Sequence, residues 1–185
     1  MAARYTGQFY SAFTEQQYTV VLYDDDFAGS AENITFQNVT FQYPQGDGDR
    51  FDTILSARLS VKMYINTSGL STFVEDLAGA QEGRFLLQLL EGITPVFIGY
   101  VLPDLATEED APVEIGGVLD IQATDGLARL KAVDYSNNGS AYGGEDTFIA
   151  HILKCLNKLP AMAAFYPSPT NILKTVVNWH SDNYT

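Results

Sequence analysis

Carboxylates are the most abundant chemical resource in this chain: 23 Asp and Glu stand against 10 Lys and Arg. Oxygen donors in loops point first to calcium. Asp47, Asp49 and Asp52 occupy positions 1, 3 and 6 of one such loop, whereas a helix–loop–helix calcium site takes donors at 1, 3 and 5 and a bidentate Glu at 12, where this chain has Arg58. Asp24–Asp26 and Glu108–Asp110 are two more clusters able to collect a cation, although loop carboxylates are usually just solvated. Glycoside hydrolysis needs two facing carboxylates, and the sequence singles out no pair among so many. Tyr5, Tyr10, Tyr18 and Tyr23 could stack on sugars, but aromatic residues more often fill β cores and protein interfaces.

Other chemistries lack their parts. His151 and His180 have no Ser, Cys or Asp at a recognisable triad spacing. Zinc requires more His and Cys than two and one. Gly46-Asp47-Gly48-Asp49 lacks the Lys and helix that complete a phosphate loop. Cys155 sits in an apolar helical pattern and reads as a small buried hydrophobe. The sequence therefore nominates no catalytic residue, no metal ligand and no cofactor.

A net charge of −13 opposes nucleic-acid binding, which needs Lys and Arg to neutralise phosphate. It suits an acidic soluble surface, or the wall of a conduit that must not hold DNA. The longest apolar stretches, such as Phe85–Leu90, are far shorter than the roughly 20 residues of a membrane helix. Met1-Ala2-Ala3-Arg4-Tyr5 lacks the apolar core of a signal peptide, so synthesis and folding in a cytoplasm are expected. The five Asn-x-Ser/Thr triplets, at Asn33, Asn38, Asn66, Asn138 and Asn183, carry little weight in that setting.

The elements that would position these groups are mostly strands. Arg4–Phe13, Gln17–Tyr23, Asn33–Gln42, Phe51–Ile65, Arg84–Leu90, Thr94–Leu102 and Val113–Ala123 are rich in aromatic and β-branched residues. In Asn33–Gln42 the apolar face slips by one residue between Phe36 and Val39, the mark of a β-bulge. Leu55, Ala57, Leu59, Val61 and Met63 form an unbroken apolar face on the longest strand. Pro44–Asp49 and the acidic Glu108–Pro112 read as loops, and Ser68 as the cap of a short helix over Gly69–Leu77. Asp125–Lys131 reads as a short helical turn capped by Asp125 or Thr124. Asp146–Leu159, stopped by Pro160, and Thr170–Trp179 read as amphipathic helices. The expected class is α+β: a mainly antiparallel β barrel or sandwich over residues 1–140, then a helical segment over 141–185.

Pro95-Val96-Phe97-Ile98-Gly99-Tyr100-Val101, followed by Leu119-Asp120-Ile121-Gln122-Ala123-Thr124-Asp125-Gly126-Leu127, resembles the first barrel of bacteriophage tail-tip or baseplate hub proteins. The resemblance covers residues 50–160. Phe97 and Gly99 match the family's strand-ending step. Asp125, Gly126, Leu127, Leu130 and Lys131 match its aspartate-led short helix, and Asp146–Leu159 looks like the start of its helical insertion domain. What the resemblance implies is a homotrimer whose tail-tube-like barrels form a ring, with the tail tube and distal tail protein above and the spike or fibre below. DNA would pass through the bore of that ring, in the tail tip of the virion, and no catalytic residue carries over. The family's second barrel has no counterpart before Thr185, and the first 45 residues match only in being β-rich. Other readings of the same features are a distal tail adaptor or tube protein, and a carbohydrate-binding β module on a virion or cell surface.

Overall fold

In a computed structural model, the described residues are 1–12, 14–42, 56–65, 67–81, 83–109, 117–127, 129, 136, 139, 154–156 and 158–159. Two compact units are distinguished, Met1–Gly126 and Leu127–Thr185. The division expected after residue 140 falls in a stretch that is almost wholly outside the described residues.

The first unit is mostly β. Its strands are β1 (Ala2–Tyr10), β2 (Gln17–Asp24), β3 (Glu32–Asn33), β4 (Thr35–Gln42), β5 (Arg58–Ile65), β6 (Phe85–Glu91), β7 (Thr94–Val101), β8 (Thr107–Glu109) and β9 (Gly117–Thr124). A helix, α1 (Thr67–Ala78), joins β5 to β6, and a 3-10 turn spans Pro103–Leu105. All the strands belong to one sheet in the order β3-β1-β2-β6-β7-β9-β5-β4, with β8 also on β9. Every pairing is antiparallel except β1 with β3.

That order makes the sheet curl. Its two ends, β3 and β4, are consecutive in the chain and separated by Ile34 alone. Glu32 and Asn33 pair with Tyr5 and Thr6, and the Ile34 N–H donates to the Thr6 carbonyl at 2.8 Å. From Thr35 onward the same run pairs with β5. The sequence reads Asn33–Gln42 as one strand; it is divided because its first residues serve β1 and the rest serve β5. The slip between Phe36 and Val39 is indeed a bulge: the register shifts between Gln37 and Thr40, and Asn38 has φ 47°. Close approach of the curled ends requires Gly7 on β1, where a Cβ would run into the Ile34 carbonyl and the Phe36 ring.

The core lies inside the curl. Leu59, Val61, Met63 and Ile65 alternate inward from β5 and are fully buried. Leu119, Ile121 and Ala123 meet them from β9, with Val20, Leu22, Phe85, Leu87 and Leu89 from β2 and β6. Burying a side chain of Leu or Phe size contributes about 1.5–3 kcal/mol, so these strand faces supply most of the drive to fold. Helix α1 packs over the core at the end where β5 finishes, β2 finishes and β6 begins. Its Phe73 meets the rings of Tyr5 and Phe85 edge-on, at 5.2 and 5.5 Å between centroids.

Several boundaries differ from the sequence reading. The first strand begins at Ala2 and ends at Tyr10, before the turn that carries Thr14 and Glu15. Helix α1 starts at Thr67, so Ser68 lies within its first turn and is not its cap. Glu108, read as loop, pairs within β8 against Leu119 of β9. Residues 51–55 and 113–116 of two expected strands lie outside the described residues. So does the helix expected over 170–179; of the one over 146–159, Lys154, Cys155 and Leu156 are helical.

Gly99 on β7 is a second site of close approach. Its Cβ would be driven into the Thr124 carbonyl of β9, whereas a Cβ on Gly79 would find its nearest neighbour at 3.5 Å. Gly99→Val is expected to lower stability by about 3 kcal/mol, the upper end of overpacking penalties. Gly79→Ala should change it by no more than about 0.5 kcal/mol. Urea denaturation midpoints for the two variants check the contrast.

Candidate functional site

Three clusters of side chains stand out. At the α1 end, Asp24 closes β2 with its carboxylate fully buried. Arg4 Nη1 of β1 donates to Asp24 Oδ2 at 2.8 Å and to Asp76 Oδ2 of α1 at 2.7 Å. Arg84, just ahead of β6, donates from Nε to Asp24 Oδ1 at 2.9 Å and from Nη2 to Oδ2 at 3.2 Å. The Asp26 N–H adds a bond to Asp24 Oδ1 at 3.0 Å. The Arg4 guanidinium also lies 5.0 Å from the Phe73 ring centre and 5.6 Å from that of Phe27, within cation–π range.

Burial by itself would raise the pKa of Asp24. Hydrogen bonds from Arg84 and Arg4, joined by the Asp26 N–H, outweigh it and hold the carboxyl below the ordinary carboxylate range. Burial would likewise lower Arg4, but its bonds to Asp76 and Asp24 prevail and keep it above its usual value. Nearby on the same strands, burial raises the Tyr23 hydroxyl, which donates to Gln88 Oε1 at 2.8 Å.

The second cluster gathers residues from the matched motif. Phe97 is buried in the core and meets Phe41 at 5.6 Å. Gly99 allows β7 to touch β9, which it pairs only through Tyr100 and Val101. Asp125 follows β9 directly and reaches back to the start of β5: Oδ2 accepts the Ala57 N–H at 2.8 Å, and Oδ1 accepts the Ser56 hydroxyl. The Asp125 N–H in turn donates to the Ala57 carbonyl at 3.2 Å. Its carboxylate thus pins two strands together, a role the helix-cap reading did not include. Gly126 is buried at φ 78°, and Leu127 is half-buried in a 3-10 turn. Leu130 and Lys131 lie outside the described residues.

The third cluster is a cleft of about 530 Å³ at the opposite end of β1, β2 and β6. Phe9, Tyr10, Tyr18, Val39, Phe41 and Val96 line it. Phe9 and Tyr18 stack with centroids 5.5 Å apart.

The acidic runs distribute differently from the cation-site reading. Asp24 is occupied by two arginines, Asp25 is exposed and lies 3.3 Å from the N-terminal amine, and Asp26 lies 3.2 Å from Arg84. Among the described residues, no three His, Cys, Asp or Glu side chains gather as a metal site. Asp47, Asp49, Asp52, Asp110, His151 and His180 lie outside the described residues, and Cys155 is half-buried. Sequence reasoning missed Arg4, Asp76 and Arg84. The available signal was two of only 10 cations, each directly preceding an aromatic residue that a strand buries, Tyr5 and Phe85. Compared with known proteins, the chain matches no family model, and no curated protein matches it.

Removing one member of a buried ion network strands the others, at a cost of about 3–5 kcal/mol. Asp24→Asn should therefore destabilise strongly at neutral pH. A carboxyl whose pKa is lower folded than unfolded binds protons more readily in the unfolded chain. Its contribution is complete above the unfolded value of about 3.9 and is lost as pH falls toward the folded one. Denaturation of wild type and Asp24→Asn across pH should show their gap narrowing below about pH 4. Parallel curves would contradict the assignment.

Proposed function

We propose that this chain is a structural subunit of a bacteriophage tail tip, a hub protein that assembles as a homotrimeric ring. In this reading the ring joins the tail tube and distal tail protein to a spike or fibre, and leaves a bore for DNA. The observation that carries it is the meeting of the motif residues at one seam. Phe97, Gly99, Asp125 and Gly126, which are scattered over 30 residues of sequence, come together where β7, β9 and β5 adjoin. A motif with a shared structural task is what a resemblance in fold entails, and none of these residues is arranged for turnover.

The curled, mainly antiparallel sheet also suits a tail-tube-like barrel in which short edges await neighbours. Its net charge of −13 suits a lumen through which DNA must slide. The role is mechanical, not enzymatic: folded copies supply a wall, and closed cyclic symmetry limits their number. The finished protein would reside in the virion, after assembly in the host cytoplasm.

Light scattering across a concentration series tests the reading. A mass three times that of the 20.3 kDa chain, or a monomer–trimer equilibrium, is expected. A single-chain mass at every concentration would count against a self-assembled ring.

A further inference from the structure

Among the described residues, no side chain of the sheet fills the aromatic cleft, and its chemistry restricts what could occupy it. Beyond Thr6, no ladder joins β1 to β4 among the described residues: the parallel pairing ends at Thr6–Asn33, and Ile34 supplies the last hydrogen bond across. The cleft opens where these two runs part. Tyr10 at its edge is 68 % exposed, and Ile93, on the neighbouring turn between β6 and β7, is 96 % exposed. The Gly92 N–H donates to the Gln17 carbonyl at 3.1 Å, which fixes that turn beside the start of β2. Phe41 and Val96 are exposed too, at 38 % and 37 %. Apolar surface that is concentrated at one place and held by backbone bonds marks an interaction site more often than random exposure.

Charge narrows the partner further. The turn between β1 and β2, the turn between β6 and β7, and the whole of β4 contain no Lys or Arg. The first turn does contain Glu15, exposed with φ 54°, and half-buried Glu91 ends β6 just before the second. A second copy would bring the same two glutamates to the contact, so self-association through this cleft sets like charges together. A basic partner gains where a second copy loses.

We propose that the cleft receives an extended segment of a different protein, apolar at its centre and flanked by Lys or Arg. Apolar side chains of the segment would fill the space between Phe9, Tyr18, Val39 and Phe41, while its flanks face Glu15 and Glu91. An extended chain fits the gap between two parting strands, as in recognition by strand addition. The proposal does not depend on the hub assignment, because it rests on the shape and apolar lining of the cleft and on the glutamates of the adjoining elements.

The probe is a fluorescent peptide that alternates valine and phenylalanine between paired lysines, titrated against the full chain by anisotropy. A matched peptide with glutamates in place of the lysines serves for comparison. The lysine peptide should bind, and the glutamate peptide should bind about tenfold more weakly or worse. Tyr10→Ser with Val96→Ser, two exposed positions whose variant should keep the wild-type circular dichroism, should weaken the lysine peptide by about tenfold or more. Glu15→Gln with Glu91→Gln should remove most of the difference between the two peptides. Three results would overturn the proposal. These are no binding of the lysine peptide, equal binding to the Tyr10→Ser/Val96→Ser variant (attraction to the acidic surface only), and an oligomer of this chain that the same variant dissociates.

Discussion

Asp24 is a carboxylate enclosed by protein, and much of the sheet is arranged so that it can stay ionised. Taking such a group out of water costs several kcal/mol unless charge and hydrogen bonds replace the lost hydration. Here the replacement comes from two places distant in sequence, Arg4 on β1 and Arg84 before β6, and from the nearby Asp26 amide. Arg4 also holds Asp76 of α1, so the same ions tie the helix to the sheet. Buried ion networks often add little net stability over an apolar replacement of the same shape. What this one imposes is geometry: β1, β2, β6 and α1 are all tied to one carboxylate, and with them the mouth of the core on which α1 sits.

The opposite end of those strands follows a different logic. Hairpin turns displace apolar side chains outward, and no helix covers the core there among the described residues. One end is closed by ions and a helix and the other is open and aromatic.

Periodicity made much of the sheet legible. The alternation Leu59, Val61, Met63 on β5 and the slip between Phe36 and Val39 translate directly into a buried face and a bulge. Phe85–Leu90, apolar but for Gln88, is a strand with both faces buried: Leu87 and Leu89 enter the core cluster, while Leu86 is buried on the other side. Less legible were features that depend on partners remote in sequence. Nothing local shows that Ile34 divides one strand between two neighbours, or that Asp24 pairs across 20 and 60 residues with Arg4 and Arg84. Glu108 reads as loop because its carboxylates suggest solvent, but pairing with Leu119 draws its backbone into β8. Of the motif residues, Gly99 and Asp125 were singled out from sequence only for a likeness to a family motif. Their tasks, a close strand approach and a carboxylate pin, needed coordinates.

The structural reading stands or falls on assembly. Electron microscopy of the purified chain at high concentration, with rotational analysis of the particle images, addresses it most directly. The account predicts ring-shaped particles of threefold symmetry around an open bore. Uniform solitary particles at every concentration, with no ring after addition of tail-tube protein, would contradict it.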